Sequence, residues 1–593
     1  MENKIKQFLR RVSEPTRYIG GEFNTPNFAE SQNRVNFCMC YPDVYEVAMS
    51  DLYFKTLYHD VNDRKGFSAE RCFAPVVEDG KILKELEQPL FSIESKTPLK
   101  DFNCLGFFFK YELSYTTFLY MLDLAGIELR KCKRGSDSPL IFGAGVTMSN
   151  AEVLADFLDF AIVGDLEISY IEVLDCIRSC KLNGLGRRET LNALSKITGV
   201  YVFEDKTVEF EGSKISKMTG DVVKRAFVAN LDRAYFPMSI QVPYLGCGRA
   251  DIEIMRGCSK GCRFCQAGFL NRPVRERRVS TLLLQTKALI QATGYNRLGL
   301  IASAPCEYSD INGLVNGLNP LCVEKNVKIS LPTMSIDAES VDDGDVLHFS
   351  LEGGSQRLRD MVNKNVNDDK IKETLIEAFR SGCYKLQMRF MIGLPTETAE
   401  DLLGIVELVK LAQDLFVKYK ATDSDLKIMI KVSTFIPKPF TPFQWQSFMG
   451  VDAVIKREKI LRILLADLNV EYDFYNVYAS EVEAILSRGD RRLSALLELA
   501  YKAGAVFDNY KGQFNAEAYS KAFELLNFNK SAYLSARDYG DTLAWDLIDY
   551  GVDKEYLKAE NEKSKVSGTT RDCRQGCNGC GLAKLGVCKN GSN

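Results

Sequence analysis

The sequence predicts an α/β protein that begins with a doubly wound parallel sheet and continues as a partial barrel of six βα units, a helical region and a cysteine-rich tail. Three observations support this prediction. Short apolar runs alternate with amphipathic stretches from about Val35 to Ile177, and the same alternation resumes after the segment IEIMR and continues to about residue 451. From about Asp452 to Tyr550 the pattern is that of amphipathic helices.

The strands and helices of the N-terminal sheet domain are predicted from residue composition and from the spacing of apolar residues. VNFCMCYP, CLGFFFKY, PLIFGAG and DFAIVGD predict buried strands, and EVAMSDLYFKTLYHDV and YTTFLYMLDLAGI predict helices. Further along, GVYVFEDKTVEFEG predicts a hairpin that turns at Asp205 and Lys206. The resulting boundaries are an N-terminal arm at 1–34, the sheet domain at 35–177, a β-containing connector at 178–245, the barrel core at 246–451, the helical region at 452–560 and the tail at 561–593.

Ligands of a doubly wound sheet lie beyond the carboxyl ends of its strands. In this chain those ends are followed by the segments PDVYEVAMSDL, GAGVTMSN and GDLE. The small residues Gly143, Ala144 and Gly145 would let a flat ligand approach the backbone closely. Tight turns after strands would explain the same residues equally well.

The composition excludes several classes of protein. The 593 residues carry a formal net charge of -3, so the chain has no overall basic field of the kind that attracts nucleic acid. Only two histidines occur, His59 and His348, which removes His-based triads and histidine-rich zinc hydrolases. No stretch approaches the ~20 apolar residues of a membrane helix, and the start MENKIKQFLRRVSEP lacks the apolar core of a signal peptide. We therefore expect a cytoplasmic protein without a membrane partner, whose 18 cysteines are buried thiols, metal ligands or redox groups.

Three of these cysteines, Cys258, Cys262 and Cys265, fall within the segment RGCSKGCRFCQAG at C-x3-C-x2-C spacing. A closed structural metal site takes four ligands, so this loop leaves one position for another group. Three thiolates suit three irons of a [4Fe–4S] cube and leave the fourth iron open. A zinc loop with a distant fourth ligand, or three ordinary buried thiols, are the alternatives.

Further motifs accompany this loop along nearly the whole chain: PTRYIGGE at residues 15–22, IEIMRGCSKGCRFCQAGFLNRPVRER, SLPTMSIDAES, LEGGSQRLRDMVNK, FMIGLPTET and FIPKPFTPFQW. In combination they resemble the radical SAM superfamily and, within it, the largely uncharacterised group of B12-binding-domain-containing radical SAM proteins. The resemblance implies that Cys258, Cys262 and Cys265 ligate a [4Fe–4S] cluster whose open iron chelates S-adenosylmethionine (SAM). It also implies an external reductant such as flavodoxin or ferredoxin.

By the same resemblance, one aromatic residue of the cluster loop and two strand ends would contact SAM: Phe264 and the pair Ile392 and Gly393 beside the adenine, and Glu352, Gly353, Gly354 and Ser355 at the ribose or methionine end. Another explanation is open for the second strand end. Glu352 could instead cap the next helix, and the two glycines could simply form a turn.

The resemblance further implies that the N-terminal sheet is flavodoxin-like, as in B12-binding domains. The usual Asp-x-His-x-x-Gly loop, which supplies a histidine to cobalt, is absent, because the corresponding segment reads DVYEVAM with Asp43, Tyr45 and Glu46. Two alternatives stay open. Either cobalamin binds without a protein histidine, against Asp43 and the 143–145 loop, or the fold persists without this cofactor.

The tail segment DCRQGCNGCGLAKLGVC repeats the C-x3-C-x2-C spacing and adds a fourth thiol, giving the set Cys573, Cys577, Cys580 and Cys588. Four thiolates close a site. Such a site suits either an auxiliary [4Fe–4S] cluster or a tetrahedral zinc ion.

A run of arginines follows the cluster loop in the segment NRPVRERRVS, at Arg272, Arg275, Arg277 and Arg278. Guanidinium groups near the mouth of a barrel could bind the phosphates of an RNA substrate. Contacts with the N-terminal domain, or the solvated start of a helix, would explain the run as well.

The function predicted from these patterns is that of a radical SAM enzyme, which reductively cleaves SAM at a [4Fe–4S] cluster and modifies an unknown substrate: RNA, protein or a small molecule. Methylation would follow if cobalamin is bound, and sulfur insertion if the tail holds a sacrificial iron–sulfur cluster. The alternative is an iron–sulfur electron-transfer or sensing protein with a non-catalytic barrel.

Overall fold

The computed structural model describes residues 2–26, 35–246, 248–330, 346–585 and 588. Its N-terminal sheet has 6 strands in the order β2-β1-β3-β4-β5-β6, and every neighbouring pair is parallel except β5 with β6. The strands are β1 Val35–Tyr41, β2 Phe67–Phe73, β3 Cys104–Phe108, β4 Leu140–Ala144, β5 Phe160–Ile162 and β6 Val200–Val202. This is the doubly wound, flavodoxin-like sheet that the sequence predicts, with an antiparallel strand added at one edge.

Helices cover both faces of this sheet. Phe37 and Met39 of β1 pack in the same hydrophobic cluster as α4 and α7, whereas Cys38 and Cys40 point to the opposite face, where α6 packs. The helices of this part are α1 Glu2–Arg11, α2 Thr16–Ile19, α3 Tyr45–Ser50, α4 Leu52–Asn62, α5 Val77–Glu85, α6 Tyr115–Leu124, α7 Leu166–Leu182 and α8 Arg187–Leu194.

The sequence patterns do not predict β2, because its segment FSAERCF carries two charges at its centre. In the structure Arg71 is 1% exposed and is paired with Glu22 and with Glu94, each at 2.6 Å. Its guanidinium also lies 4.5 Å from the ring centre of Tyr58. Glu22 is the last residue of the PTRYIGGE motif, so this motif neutralises a charge that is buried in the sheet.

The predicted hairpin at Asp205 and Lys206 is wrong. The run before this turn is β6, which pairs antiparallel with β5 at the edge of the main sheet. The run after it is β7 Thr207–Glu211, which forms a hairpin with β8 Lys214–Thr219. Both apolar runs are strands as expected, but alternation alone does not identify the partner of a strand.

The barrel core consists of parallel strands in two described sheets, with the orders β10-β13-β14 and β15-β16-β17-β18. Their bounds are β10 Ala250–Glu253, β13 Arg297–Ile301, β14 Lys328–Ser330, β15 Val346–Glu352, β16 Lys385–Ile392, β17 Lys427–Thr434 and β18 Glu471–Phe474. Strands are predicted for the first six, and β18 is an addition from the segment expected to be helical. Residues 331–345, which hold most of the SLPTMSIDAES motif, lie outside the described residues.

Two short ladders join separate parts of the chain. The strands β11 Met255–Arg256 and β12 Arg275–Glu276 are antiparallel and flank the cysteine loop, and β9 Val223–Lys224 pairs in parallel with β19 Ile548–Asp549 near the C-terminal end. The second ladder ties the connector to the C-terminal region.

Helices surround the barrel strands and then form the C-terminal region. They are α9 Gln266–Leu270, α10 Val279–Thr293, α11 Ile311–Lys325, α12 Gln356–Met361, α13 Asp368–Arg380, α14 Ala399–Tyr419, α15 Val451–Leu465, α16 Val477–Ser487, α17 Leu493–Lys502, α18 Ala516–Leu525, α19 Ser531–Leu534 and α20 Lys554–Lys565. None of the helices in the described part of the chain is both long and apolar enough to cross a membrane.

A buried carboxyl group joins the C-terminal region to the N-terminal sheet domain. Asp508 lies between α17 and α18, and it accepts hydrogen bonds from the hydroxyls of Thr116, 2.8 Å away on α6, and of Tyr519, at 3.0 Å. Burial raises the pKa of Asp508 to about 6, and these hydrogen bonds offset only part of that shift.

We predict that this carboxyl group makes the fold less stable as the pH rises. Its pKa is higher in the folded protein than in the unfolded chain, so its stabilising contribution is complete below about pH 4 and is lost between about pH 4 and 6. The loss amounts to about 3 kcal/mol at most. Denaturant unfolding of the wild type and of Asp508→Asn across this range measures it. If both proteins show the same pH dependence, Asp508 does not carry the raised pKa.

Candidate functional site

The predicted cluster loop lies at the mouth of the barrel, between two of its short elements. Strand β11 ends at Arg256, and Cys265 directly precedes α9. Cys262 is buried, whereas Cys258 and Cys265 are partly exposed, and none of the three is in a disulfide. The loop therefore presents three sulfur atoms where α/β barrels hold their ligands.

The surroundings of Cys265 bring several predicted site residues together. Burial raises the pKa of its thiol, and the neighbouring groups of Cys258 and Glu352 raise it further. The N–H of Gly268 and the ammonium group of Lys364 oppose these effects. Two predicted cluster ligands and one predicted SAM contact thus share one environment, to which the structure adds Lys364.

The donor set of this loop fits a [4Fe–4S] cluster. Between residues 257 and 266 it offers three thiols and no histidine or carboxylate. Within the described residues, no three Cys, His, Asp or Glu side chains converge on one point as they would around a single metal ion. A cube does not need such convergence, because each thiolate ligates a different iron atom.

The strand end at the carboxyl edge of β15 is arranged around Glu352 and Ser355. Glu352 has a φ of 67° and lies 3.7 Å from the ammonium nitrogen of Lys364. Ser355 caps α12: its hydroxyl accepts the N–H of Leu358 at 3.1 Å and donates to Asp401. The helix cap expected as an alternative role for Glu352 therefore belongs to Ser355.

The glycines of this strand end allow close packing of the backbone. A Cβ on Gly354 would lie 2.3 Å from the carbonyl oxygen of Asp401 in α14, so no larger residue fits there. Gly353 is less restricted, with the nearest atoms 3.1 Å from such a Cβ. On the next strand Gly393 has a φ of 80° and donates its N–H to Glu397, and the side chain of Ile392 is buried in the core.

Phe264 lies beside the neighbouring strand β16. Phe264 of the cluster loop and Met391 of β16 are partly buried against the same hydrophobic cluster, which contains Leu394 and Phe435. An aromatic side chain next to the thiolates thus lies beside the strand that was expected to border the adenine.

One side of the cluster loop is held by the N-terminal domain through Arg256. Its guanidinium is paired with Asp165 at 2.9 Å and with Glu167 at 2.6 Å, and it lies 5.3 Å from the ring centre of Tyr53. Burial alone would raise the pKa of Asp165, but the guanidinium groups of Arg256 and Arg275 lower it. The GDLE segment anchors the residue that precedes the loop, and its four residues also line the cavity described below.

The arginine run after the loop is mostly structural, and the RNA interpretation is wrong for three of its four members. Arg272, Arg275 and Arg277 are only 3%, 5% and 3% exposed. Arg275 is paired with Asp165 and donates to the carbonyl of Val228, which are contacts with the N-terminal domain and the connector. The side chain of Arg278 is 76% exposed.

The opposite side of the cluster loop is held by the C-terminal region. Arg263 is fully buried, pairs with Glu560 of α20 at 3.1 Å and donates to the carbonyl of Gly568. Asn363 donates its side-chain amide to the carbonyls of Lys260 and Gly261. Sequence reasoning missed Asn363, Lys364 and Arg263, because polar residues between apolar runs carry no periodic signal.

The segment predicted for cobalamin is tied to other parts of the chain. Its polar side chains all have partners: Asp43 accepts from Tyr510 and Asn509, Tyr45 donates to Glu22, and Glu46 is paired with Arg17. The small residues of the second loop are also enclosed. A Cβ on Gly143 would lie 2.5 Å from the sulfur of Met148, and Ala144 is fully buried.

A cavity of about 670 Å³ separates the carboxyl edge of the N-terminal sheet from the barrel. Its lining from the sheet domain includes Tyr53, Phe108 and Gly145, and its lining from the barrel includes Asp251 and Ala302. Of the four residues predicted for cobalamin, Gly145 alone lines it. The volume is typical of a site for a small ligand.

The cavity directly adjoins the cluster loop. Met255 and Arg256, just before the first cysteine, and Ala267, just after the third, belong to its lining. Ile252 of the first barrel strand and Ile254 just after it pack against α10, so the alternate residues Asp251 and Glu253 face the cavity.

The charges around this cavity balance. Its lining has five carboxylates and five basic groups: Asp51, Asp165, Glu167, Asp251 and Glu253 with Lys110, Arg225, Arg249, Arg256 and Arg277. Several are paired with each other, for example Asp51 with Lys110 at 2.9 Å and Glu253 with Arg256 at 2.8 Å.

A barrel with a three-thiolate loop at its mouth, joined to a flavodoxin-like sheet across a ligand-sized cavity, defines a class of iron–sulfur enzymes. Residues 53–202 match the family model for the N-terminal part of radical SAM proteins, and residues 252–409 match the model of the radical SAM superfamily. The chain belongs to the radical SAM superfamily. The predicted enzyme class is thereby confirmed, and membership implies a [4Fe–4S] cluster and SAM as cofactors and a reductant as a partner.

Relatives of this chain include an uncharacterised protein of Methanocaldococcus jannaschii, 26% identical over 73% of this chain and 90% of its own length. Ribosomal protein uS12 methylthiotransferase of Desulfotalea psychrophila is 22% identical over 41% of this chain and 55% of its own length. The tRNA-2-methylthio-N(6)-dimethylallyladenosine synthase of a Hydrogenobaculum species is 23% identical over 40% and 54%. The chain thus spans about half the length of these two methylthiotransferases.

Similar solved structures include the cobalamin-dependent SAM radical enzyme OxsB with aqua-cobalamin bound, at a TM-score of 0.44 and 12% identity over 84% of this chain and 71% of that one. The radical SAM methyltransferase TsrM from Kitasatospora setae has a TM-score of 0.33 at 11% identity over 71% of both chains.

We predict that Arg275→Gln destabilises the protein far more than Arg278→Gln, although both change the same run in the same way. The first leaves Asp165 with one of its two arginines and removes a buried pair, which costs about 3–5 kcal/mol. The second removes an exposed ion pair with Asp232, which contributes no more than about 1 kcal/mol. Thermal unfolding of both variants measures the difference. Equal midpoint temperatures of unfolding for Arg275→Gln and Arg278→Gln would show that Arg275 does not anchor the two domains.

Proposed function

We propose that this protein cleaves SAM reductively at a [4Fe–4S] cluster held by Cys258, Cys262 and Cys265 and modifies a substrate bound in the 670 Å³ cavity. The observation that carries this proposal is the position of the cavity, whose lining includes residues directly before and directly after the cluster loop. The chemistry that the cluster supplies is one-electron cleavage of the sulfonium C–S bond, which yields methionine and a 5′-deoxyadenosyl radical. An electron-transfer or sensing protein would have no use for such a cavity.

The chain's own residues would hold and orient SAM. Glu352 and Lys364, 3.7 Å apart beside Cys265, offer one acceptor and one donor to the amino and carboxylate groups of the methionine end. Phe264 and Met391 supply an apolar wall for the adenine. Gly353 and Gly393 would let the ligand approach the backbone closely, because neither carries a side chain.

The balanced charge of the cavity favours an enclosed, largely neutral substrate group. Aromatic side chains, including Tyr53, Phe108 and Phe236, form much of its wall, and they keep water away from a radical. A folded RNA would need an excess of unpaired cations, which this lining does not offer. A small molecule, or a single group of a larger substrate that reaches inward, suits the space.

Two reactions would use this arrangement. Sulfur insertion is supported by the names of the methylthiotransferase relatives, and methylation by the cavity at the carboxyl edge of a flavodoxin-like sheet. Cobalamin would belong to the second reaction. The residues of the DVYEVAM segment do not fit as its contacts, because their polar groups are bound within the chain, so a corrin would have to rest on the cavity lining around Gly145.

We place the reaction in the cytoplasm, with flavodoxin or ferredoxin as the electron donor. A reducing compartment suits the described cysteines, none of which is paired in a disulfide.

Replacement of one cluster ligand tests the proposed function. We expect anaerobically reconstituted Cys262→Ser, given SAM and dithionite, to release no more 5′-deoxyadenosine than a protein-free reaction, because two thiolates do not hold the cluster. Cys322→Ser is the matched control, since Cys322 is also a buried thiol but lies in α11, outside the site. Mass spectrometry of host RNA, proteins and metabolites with each variant would then separate a methyl from a methylthio mass increment.

Native-rate SAM cleavage by Cys262→Ser would contradict the assignment of the cluster. Loss of cleavage in both variants would show that the effect is one of folding, which the iron content and the thermal midpoint of each protein would reveal.

A further inference from the structure

The cysteine-rich tail is packed directly against the cluster loop. The backbone N–H of Cys573 donates to the carbonyl of Ser259 at 3.1 Å, and the hydroxyl of Ser259 donates to Asp572 at 2.8 Å. Ser259 follows Cys258 in the chain. One residue and one hydrogen bond therefore separate a ligand of the first cysteine set from a member of the second.

Further contacts fix this arrangement. Asn363, which donates to the carbonyls of Lys260 and Gly261, accepts the N–H of Thr570 at 2.7 Å with its side-chain oxygen. Arg574 is paired with Glu307, which also lies 3.6 Å from Lys260. The tail is thus bound to the loop on both sides of Cys573.

Three of the four tail cysteines lie near each other. The thiols of Cys580 and Cys588 are close enough to that of Cys573 to interact with it electrostatically. The segment between the cysteines bends back at Gly576 and Gly579, whose φ values are 148° and 71°. These turns reverse the backbone between Cys573 and Cys580, so that the cysteines of this segment stay near one another along the chain.

A buried arginine lies between the two cysteine sets. Arg272 is 3% exposed, and its guanidinium reaches to 2.8 Å from the Cβ position of Gly261 in the cluster loop. The thiols of Cys573 and Cys580 also lie close enough to interact with this guanidinium. Its Nε–H has no acceptor among the described residues. A buried donor of this kind suits a sulfide or thiolate of a bound cluster.

The tail lies on the outer side of the loop, away from the cavity. Cys577 is exposed and Cys573, Cys580 and Cys588 are partly exposed, whereas Cys262 of the first set is buried. None of the described tail residues lines the cavity. A cluster in the tail would therefore stand between the first cluster and solvent, and it is poorly placed to donate sulfur to a substrate in the cavity.

We propose that Cys573, Cys577, Cys580 and Cys588 hold a second [4Fe–4S] cluster that relays single electrons from a reduced flavodoxin or ferredoxin to the SAM-binding cluster. This inference rests on the proposed function, because it assigns the electron entry point of the same reaction. The Cα atoms of Cys258 and Cys573 are no more than about 11 Å apart, given one hydrogen bond of 3.1 Å and standard backbone dimensions. In each turnover one electron passes from the donor to the tail cluster and then from the tail cluster to the first cluster. No atom is transferred.

The test uses the full chain, reconstituted anaerobically, with Cys577→Ser as the variant and Cys132→Ser as the control. Both thiols are exposed, so the substitution is matched, but Cys132 lies in the N-terminal domain. We expect Cys577→Ser to lose half of its iron and sulfide while its remaining reduced cluster still responds to SAM in electron paramagnetic resonance. Reduction by a stoichiometric amount of reduced flavodoxin should slow by at least about 10-fold, because a ligand and the site that depends on it are lost.

A second variant separates docking from cluster binding. Asp572→Ala keeps all four thiols but removes the hydrogen bond to Ser259, so we expect unchanged iron and slower reduction by flavodoxin. The relay would be overturned if the tail binds zinc and not iron. It would also be overturned if reduced flavodoxin reduces both variants as fast as it reduces Cys132→Ser. Both variants must still cleave SAM when dithionite supplies the electron. If the wild type also failed to cleave SAM with dithionite, the proposed function would be refuted, and not the relay alone.

Discussion

The site depends on charges that are buried on both sides of one short loop. Arg256 and Arg263 flank the first two cysteines, and each is paired with carboxylates from a different part of the chain, Asp165 and Glu167 on one side and Glu560 on the other. A buried guanidinium without its carboxylate is strongly destabilising, so the loop adopts this position only when both neighbouring regions are folded against it. The geometry of the three thiolates is thereby coupled to the folding of the N-terminal domain and of α20.

This coupling explains why the N-terminal sheet domain and the barrel core contribute different parts of the site. The N-terminal sheet has the fold of a ligand-binding domain, but the polar groups of its first loop and of its GDLE segment bind other parts of the chain. What this edge still offers to a ligand is the aromatic and charge-balanced wall of the cavity. The barrel supplies the cysteines and the opposite wall, so a substrate between the two units would meet the reactive end of SAM.

The sequence predicts those elements of the structure whose apolar residues recur with the period of a strand or a helix. Strands such as β1 and β4 are largely apolar runs that alternate with amphipathic helices, so a parallel, doubly wound sheet could be anticipated. Strand β2 could not, because Arg71 is stabilised by Glu22 and Glu94, residues distant in sequence. The same limit applies to the hairpin, whose strands were recognised but whose pairing depends on tertiary contacts.

The site shows a similar limit. Cysteine spacing predicts the cluster loop, since its three thiols are close in sequence. In the structure Glu352 lies near Cys265, and Phe264 packs against the same hydrophobic cluster as Met391. The roles of Arg272 and Arg275 depend on what surrounds them, and a run of arginines looks alike in sequence whether it is exposed or buried. Asn363 and Lys364 end the LEGGSQRLRDMVNK motif, but the motif does not show their roles, because their contacts are to backbone carbonyls and to a residue from another element.

The claim on which this account rests is that one iron, not ligated by the protein, chelates SAM. Electron–nuclear double resonance of the reduced protein, with SAM isotopically labelled in its methionine amino and carboxylate groups, tests it most directly. We expect hyperfine coupling from both labelled groups to the cluster held by the C-x3-C-x2-C loop. A reduced cluster that shows no coupling to either group, in protein that binds SAM, would contradict the account.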